Sequence, residues 1–169
     1  MMDAVWSNWF RPVNKTILDV LRGVPVFEGL SDRELKKVER YMVTRKFVDG
    51  EYVFSQREPG AGMYIVLVGR VRIQMESSPE RAKELTTLGE GDFFGEMALL
   101  DESARSASAV AATEKLEVLS FFRGDLLKLV QEYPDIASRV LWNIGVVLSE
   151  RLRKNNELYF ETCKRIPPQ

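Results

Sequence analysis

Histidine is absent from the 169-residue sequence, and Cys163 is its single cysteine. A lone cysteine excludes an internal disulfide and a metal site built from cysteines. Without histidine, the most common general base and the imidazole metal ligand are missing as well. The sequence shows no serine or cysteine nucleophile with a general base beside it, and no pair of carboxylates arranged for acid–base catalysis. We therefore expect no catalytic site, no bound metal and no enzymatic activity.

The sequence also lacks an excess of charge, since 24 Lys and Arg residues balance 25 Asp and Glu residues. The net charge of −1 argues against direct binding to nucleic acid, which usually requires a basic surface. No apolar run approaches the roughly 18 residues that suggest a membrane span. Residues 1–10 have no basic segment before their apolar residues, which argues against a secretory signal. We expect a cytoplasmic protein with one core.

The N-terminal region has the pattern of helices. Four apolar residues at helical spacing come before Gly23 and Pro25, which end helices: Ile17, Leu18, Val20 and Leu21. Ser31 and Glu34 have the spacing of a capping box at the start of a second helix. We therefore expect an N-terminal helical segment over residues 1–25 and helical structure to about Arg45.

The middle of the chain, from about residue 46 to 122, changes to the periodicity of strands. Residues 63–68 are continuously apolar, and after Gly69 apolar and polar residues alternate, as in a half-buried strand. Further short segments rich in strand-forming residues are 51–54, 85–88, 106–112 and 116–121. The polar stretch 76–83 predicts an exposed loop. Several short strands separated by turn signals indicate a barrel or a sandwich.

The last region is helical again, with two helices expected over about residues 124–162. A short helix opens at Gly124 and ends before Pro134, and a longer one starts near Asp135. The longer helix has an apolar stripe at three- and four-residue spacing: Ile136, Val140, Ile144, Val147 and Leu148. Its basic residues are most simply a solvated face: Arg151, Arg153 and Lys154.

The stretch from residue 91 to 109 carries the most information about function. Gly95 permits a close approach of backbone, and residues 96–100 can form one helical turn. The free N–H groups at the start of such a turn suit a phosphate group. Arg105 can close this site from the opposite side with a two-pronged hydrogen bond.

Other side chains around this stretch fit the remaining parts of a nucleotide. Glu96 can accept hydrogen bonds from a sugar hydroxyl, while Ile73 and Leu88 offer an apolar wall for a base. Three apolar side chains of the turn are expected to lie in the core instead: Met97, Leu99 and Leu100.

This stretch resembles the phosphate-binding cassette of the cyclic nucleotide-binding domain family. The matching residues are Phe-Gly-Glu-Met-Ala-Leu-Leu at positions 94–100 and Arg-Ser-Ala at positions 105–107, and the similarity covers roughly residues 26–155. The resemblance implies an α+β, mainly β fold. This is a jelly-roll-like antiparallel β-roll (a double-stranded β-helix) flanked by N-terminal helices and two C-terminal helices. The domain would span residues 26–169, with the roll at about 46–122.

The resemblance also implies a cyclic nucleotide as regulatory ligand. Glu96 would bind the ribose 2′-hydroxyl and Arg105 the cyclic phosphate, with backbone N–H groups and the Ser106 hydroxyl assisting. Serine at this position favours cyclic AMP over cyclic GMP, because threonine is associated with cyclic GMP in the family. The implied ligand-binding residues are Gly95, Glu96, Met97, Ala98, Arg105, Ser106, Ala107, Ile73, Thr86 and Leu88.

Finally, the resemblance implies a sensor that signals by movement or dimer contacts of its last helix. The far half of that helix outruns a compact domain, and pairing with a second copy is favoured over a monomer. The sequence ends at Gln169, leaving too little for the helix-turn-helix of related regulators, so we expect an unidentified effector protein rather than direct DNA binding. The aromatic residues Trp6, Trp9 and Phe10 are expected to pack against the roll or a second subunit, in preference to forming a helix that docks on a membrane surface or a partner. The alternative is an interaction scaffold with a vestigial pocket.

Overall fold

The computed structural model describes residues 16–78 and 81–164. Within them the helices are α1 (Ile17–Gly23), α2 (Asp32–Glu39), α3 (Arg123–Glu132) and α4 (Pro134–Lys164), with short 3-10 helices at Pro25–Phe27 and Glu96–Leu99. The strands are β1 (Met42–Phe47), β2 (Tyr52–Phe54), β3 (Gly62–Val68), β4 (Val71–Ser78), β5 (Arg81–Leu88), β6 (Phe93–Phe94), β7 (Ser108–Ala111) and β8 (Leu116–Phe122). The predicted aromatic cluster at positions 6, 9 and 10 lies outside the described residues.

The strands form two four-stranded antiparallel sheets. Their orders are β1-β8-β3-β6 and β2-β7-β4-β5, so strands close in sequence are distributed between the two sheets. Helices lie at both ends of the described chain. This arrangement confirms the predicted α+β class and the jelly-roll-like β-roll.

Two segments of the roll differ from the prediction. The first strand begins at Met42, inside the stretch expected to be helical, and among the described strands it pairs with β8 alone, at the edge of its sheet. The polar stretch 76–83 was expected to be a loop, but strand pairing continues into it, with Met75 opposite Lys83 and Glu76 opposite Ala82. Four of the six residues of β1 are exposed, as are Ala82 and Lys83 of β5, so apolar alternation is weak and these strands are hard to see in the sequence.

Alternate residues of β3 and β8 divide the interior into two cores. Tyr64 and Val66 face the second sheet and belong to an inner core between the sheets. Met63 and Ile65 face the other way and belong to an outer core shared with the helices. Because both faces of β3 are covered, the strand is continuously apolar, as a strand buried on two sides should be.

The N-terminal helices begin at capping residues of the expected kind. The backbone N–H of Ser31 donates to a carboxylate oxygen of Glu34 over 2.8 Å, confirming the predicted capping box of α2. A similar box joins Thr16 and Asp19 at the start of α1, where the Thr16 N–H donates over 3.0 Å. These helices then supply part of the outer core.

The long helix α4 has an anchored half and an exposed half. The predicted apolar stripe is confirmed, since Ile136, Val140, Ile144 and Val147 are all buried in the outer core. The Asn143 amide also donates to the Val26 carbonyl over 3.2 Å, which ties α4 to the first 3-10 helix. From residue 151 onward every described residue is exposed. No helix among the described residues is long and apolar enough to cross a membrane.

Candidate functional site

The site is built around a tight turn between β6 and the second 3-10 helix. Gly95 lies at this turn with φ of +76°, a left-handed conformation that favours glycine. A Cβ atom at this position would also lie 2.7 Å from Nη1 of Arg105 and 3.1 Å from the carbonyl oxygen of Gly62. Both the backbone conformation and the close packing therefore require glycine here.

Arg105 packs its charged group into this turn and is only 7% exposed. Its Nη2 donates to the Gly62 carbonyl over 2.8 Å, and its Nη1 donates to the Gly95 carbonyl over 3.1 Å. Its Nε is buried and has no hydrogen-bond partner among the described residues. Burial lowers the pKa of Arg105, although nearby Tyr64 and Glu96 oppose that shift. A buried cation with an unused donor is suited to an anionic ligand.

The backbone of Arg105 is fixed as firmly as its side chain. The Arg105 N–H donates to the Glu58 carbonyl over 2.8 Å, and the Arg57 N–H donates to the Arg105 carbonyl over 2.9 Å. An isolated antiparallel bridge joins the neighbouring residues Pro59 and Ala104. The segment that follows β2 therefore holds the arginine loop in place.

Glu96 lies next to the turn and is 3% exposed. One carboxylate oxygen, Oε1, accepts a hydrogen bond from Nη1 of Arg151 over 2.6 Å. The other, Oε2, is buried without a hydrogen-bond partner among the described residues. An unsatisfied buried acceptor is costly, so this oxygen is suited to a ligand group that donates, such as a hydroxyl.

Arg151 is a member of the site that the sequence analysis missed. It was interpreted as part of a solvated face, but its side chain extends from α4 onto the turn. Its Nη2 donates to the Phe93 carbonyl over 3.3 Å, and its guanidinium lies 4.9 Å from the centre of the Phe93 ring. The signal was present in the sequence, because residue 151 is seven positions after Ile144 and four after Val147, on the buried face.

The remaining cassette residues surround the turn. Ser106 is exposed, and neither its backbone N–H nor that of Ala107 donates a hydrogen bond within the described chain. The Ala98 N–H donates to the Gly95 carbonyl over a long 3.3 Å. The N–H groups of Ala98 and Ala107 are the backbone donors that the resemblance assigns to a phosphate, with the Ser106 hydroxyl assisting.

The expected core positions of three apolar side chains in the turn are only partly correct. Leu99 is buried, as predicted. Met97 is 53% exposed and Leu100 is also exposed, so the prediction is wrong for both. The 3-10 turn directs neighbouring side chains to different sides, and only one of these three faces the core.

The residues expected to line a base lie together on the second sheet. Ile73 on β4 is paired with Thr86 on β5 and with Ala109 on β7. Strand β7 begins shortly after Arg105 in the sequence. Ile73 and Leu88 pack against the inner core, while Thr86 is exposed. The apolar residue Ile73 of the proposed wall therefore lies beside β7, the strand that follows Arg105 in the sequence.

Comparisons with known proteins agree with this architecture. The model of the cyclic nucleotide-binding domain family matches residues 44–133. The cyclic AMP receptor protein of Thermus thermophilus is 38% identical over 134 residues, which are 79% of this chain and 60% of that protein. The cGMP-dependent protein kinase egl-4 of Caenorhabditis elegans is 33% identical over 128 residues, covering 70% of this chain and 16% of the kinase.

A solved structure gives the same result at the level of the fold. The N-terminal domain of a transcriptional regulator from Streptomyces coelicolor superposes with a TM-score of 0.71 at 29% identity, covering 83% of this chain and 95% of that one. The chain spans about three fifths of the length of the Thermus relative and a much smaller share of the length of the kinase. On the family match and the shared fold, the chain belongs to the cyclic nucleotide-binding domain family.

Proposed function

We propose that this domain binds cyclic AMP in preference to cyclic GMP and reports the binding through α4 to a separate partner. The observation that carries the proposal is a pair of buried, oppositely charged side chains, Arg105 and Glu96, each with one polar atom unsatisfied in the described structure. The Nε donor suits a phosphate oxygen, and the Oε2 acceptor suits a ribose hydroxyl.

The base would lie against the second sheet, and Ser106 bears on which base is preferred. Its hydroxyl is exposed and can rotate more freely than that of a threonine, whose branched Cβ restricts χ1. The Ser106 hydroxyl is therefore a less rigidly placed acceptor for the amino group of guanine than a threonine hydroxyl would be. The relatives include both a cyclic AMP receptor and a cGMP-dependent kinase, so titration with both nucleotides is the direct test of the preference.

Glu96 gives the ligand a route to α4. One carboxylate oxygen is free for the ligand, and the other holds Arg151. A ligand hydroxyl on Oε2 would fix the carboxylate and, through it, the part of α4 around Arg151. Such coupling is limited by the difference in ligand affinity between the two states of the helix.

The exposed half of α4 is the proposed output surface. It carries four large apolar side chains that are mostly exposed in the described structure: Leu152, Leu158, Tyr159 and Phe160. Apolar exposure of this kind favours association, either with the same helix of a second copy or with an effector protein. We also propose that the domain has no catalytic activity of its own.

Isothermal titration calorimetry of nucleotide-stripped protein with cyclic AMP and cyclic GMP tests the function. We expect micromolar or tighter binding of cyclic AMP, weaker binding of cyclic GMP, and a loss of roughly 100-fold or more in Arg105→Ala, because a buried charged hydrogen-bond partner is removed. Arg40→Ala is the control, since Arg40 is an exposed arginine that follows the last residue of α2 and contacts none of the site residues named above. If the folded wild-type protein binds neither nucleotide, the scaffold interpretation replaces this proposal.

A further inference from the structure

An aromatic ring covers one face of the arginine at the site. The guanidinium carbon of Arg105 lies 4.0 Å from the centre of the Phe54 ring, closer than to the Tyr64 ring at 5.7 Å. At this distance the guanidinium lies over the ring and gains both dispersion and cation–π attraction. Phe54 belongs neither to the cassette nor to the proposed wall for the base.

Phe54 is itself held in a fixed orientation. Its ring centre lies 5.7 Å from that of Tyr64 and 5.8 Å from that of Phe94, and those two rings stack on each other at 5.4 Å. Its backbone is in β2, where it pairs with Ala109 of β7. Phe54 therefore forms a rigid surface rather than a mobile cover.

The other contacts of Arg105 leave one degree of freedom. The carbonyl groups of Gly62 and Gly95 bind the two terminal nitrogens and fix one edge of the guanidinium. Bonds along one edge allow the plane to tilt about that edge, which moves Nε. A ring 4.0 Å from the guanidinium carbon opposes the tilt, because tilting would change this close contact.

We propose that Phe54 is a positioning residue that sets the plane of Arg105, so that the free Nε edge is preorganised for the anionic group of the ligand. This inference rests on the proposed function, in which Arg105 binds the cyclic phosphate. A preorganised donor avoids the ordering cost that a mobile arginine would carry on binding.

The binding test compares two phenylalanines that pack against the same inner core, Phe54 and Phe47. We expect Phe54→Leu to bind cyclic AMP about tenfold more weakly than wild type, and Phe54→Tyr to restore most of the affinity. Phe47→Leu removes a ring of the same size without touching the arginine, and its affinity should stay within about twofold of wild type. Melting temperatures of the variants show whether each is folded, and Phe54→Met replaces Phe54→Leu if that variant is unfolded.

A second readout needs no ligand. In ¹H–¹⁵N spectra of arginine side chains, the Nε–H of Arg105, assigned by its loss in Arg105→Lys, should show a ring-current shift. That shift should fall to the smaller contribution of the Tyr64 ring in Phe54→Leu and persist in both Phe54→Tyr and Phe47→Leu. An unchanged resonance in Phe54→Leu, or unchanged affinity in that variant while the wild-type protein binds, would overturn this inference alone. Absence of binding by the wild-type protein would overturn the proposed function and this inference with it.

Discussion

The two arginines of the site belong to regions that are held in very different ways. Arg105 is on a loop of the roll, where backbone hydrogen bonds, two carbonyl groups and an aromatic ring fix it. Arg151 is on α4, four residues beyond the last buried position, with a side chain that is 48% exposed. Both arginines contact the turn, Arg105 at the Gly95 carbonyl and Arg151 at the Glu96 carboxylate.

The difference assigns separate tasks to the two regions. A rigid, buried cation provides affinity, because its cost of desolvation and ordering is met when the chain folds. The Arg151–Glu96 pair joins a half-exposed guanidinium to a buried carboxylate, so water can replace the contacts of the arginine but not those of Glu96. Such a pair is suited to transmitting a change, since a small difference in energy moves the helix that carries it.

The largest effect in this comparison is expected from Gly95→Ala. The new methyl group meets Nη1 of Arg105 at 2.7 Å, and the residue keeps a φ of +76°. We expect roughly 100-fold weaker binding of cyclic AMP, because the arginine is displaced, and a melting temperature lower by several degrees. Calorimetry and thermal unfolding measure the two effects.

Gly91→Ala is the matched control for this change. Gly91 has a φ of +87°, but nothing lies within 4 Å of an added Cβ atom. It should show a similar loss of thermal stability with nearly unchanged affinity. If both variants lose affinity equally, backbone strain rather than the position of Arg105 limits binding.

The same two regions show how far sequence reasoning reaches. The cassette around Arg105 could be predicted because its residues are close in the sequence and each has a distinct chemical role. The helices could be predicted from the spacing of apolar residues and from the capping residues Ser31 and Glu34. These features are local, so the pattern that signals them lies within a few turns or residues.

The features that were missed depend on contacts between distant parts of the chain. The Arg151–Glu96 pair joins residues 55 positions apart and depends on how α4 lies across the roll. The contact of Phe54 with Arg105 depends on the pairing of β2 with β7. Strand β1 was missed for a different reason, because an edge strand with exposed residues has little of the alternation that identifies strands.

The next largest effect is expected in the part of α4 around Arg151, and Arg151→Gln tests it. We expect only about two- to tenfold weaker binding of cyclic AMP, because the buried Glu96 carboxylate exchanges a charged partner for a neutral amide donor while Arg105 stays in place. In the wild-type protein, cyclic AMP should slow hydrogen exchange in α4 around residues 147–155, and in the variant it should not. Hydrogen–deuterium exchange by mass spectrometry measures this difference.

Arg153→Gln is the control for this helix. Arg153 is exposed and lies two positions further along, on a different face, without an ion-pair partner among the described residues. The ligand should still protect α4 in that variant. If cyclic AMP protects α4 from hydrogen exchange equally in Arg151→Gln and in the wild-type protein, then ligand binding is not coupled to α4 through the Glu96–Arg151 contact.

The smallest effect is expected at the anchored half of α4, where Arg139 pairs with Glu34 of α2. The hydrogen bond from Arg139, with those from Ser31, lowers the pKa of Glu34 from 4.5 to about 2. Because the folded pKa is below the unfolded one, this stabilisation is complete above about pH 4.5 and is lost as the pH falls towards 2. Glu34→Gln keeps a capping acceptor but removes the charge, so its melting temperature should be about 2–4 °C below wild type at pH 7. The two curves should converge near pH 2, whereas Glu39→Gln on the same helix should follow wild type throughout. A constant difference down to pH 2 would assign the loss to packing and not to the ion pair.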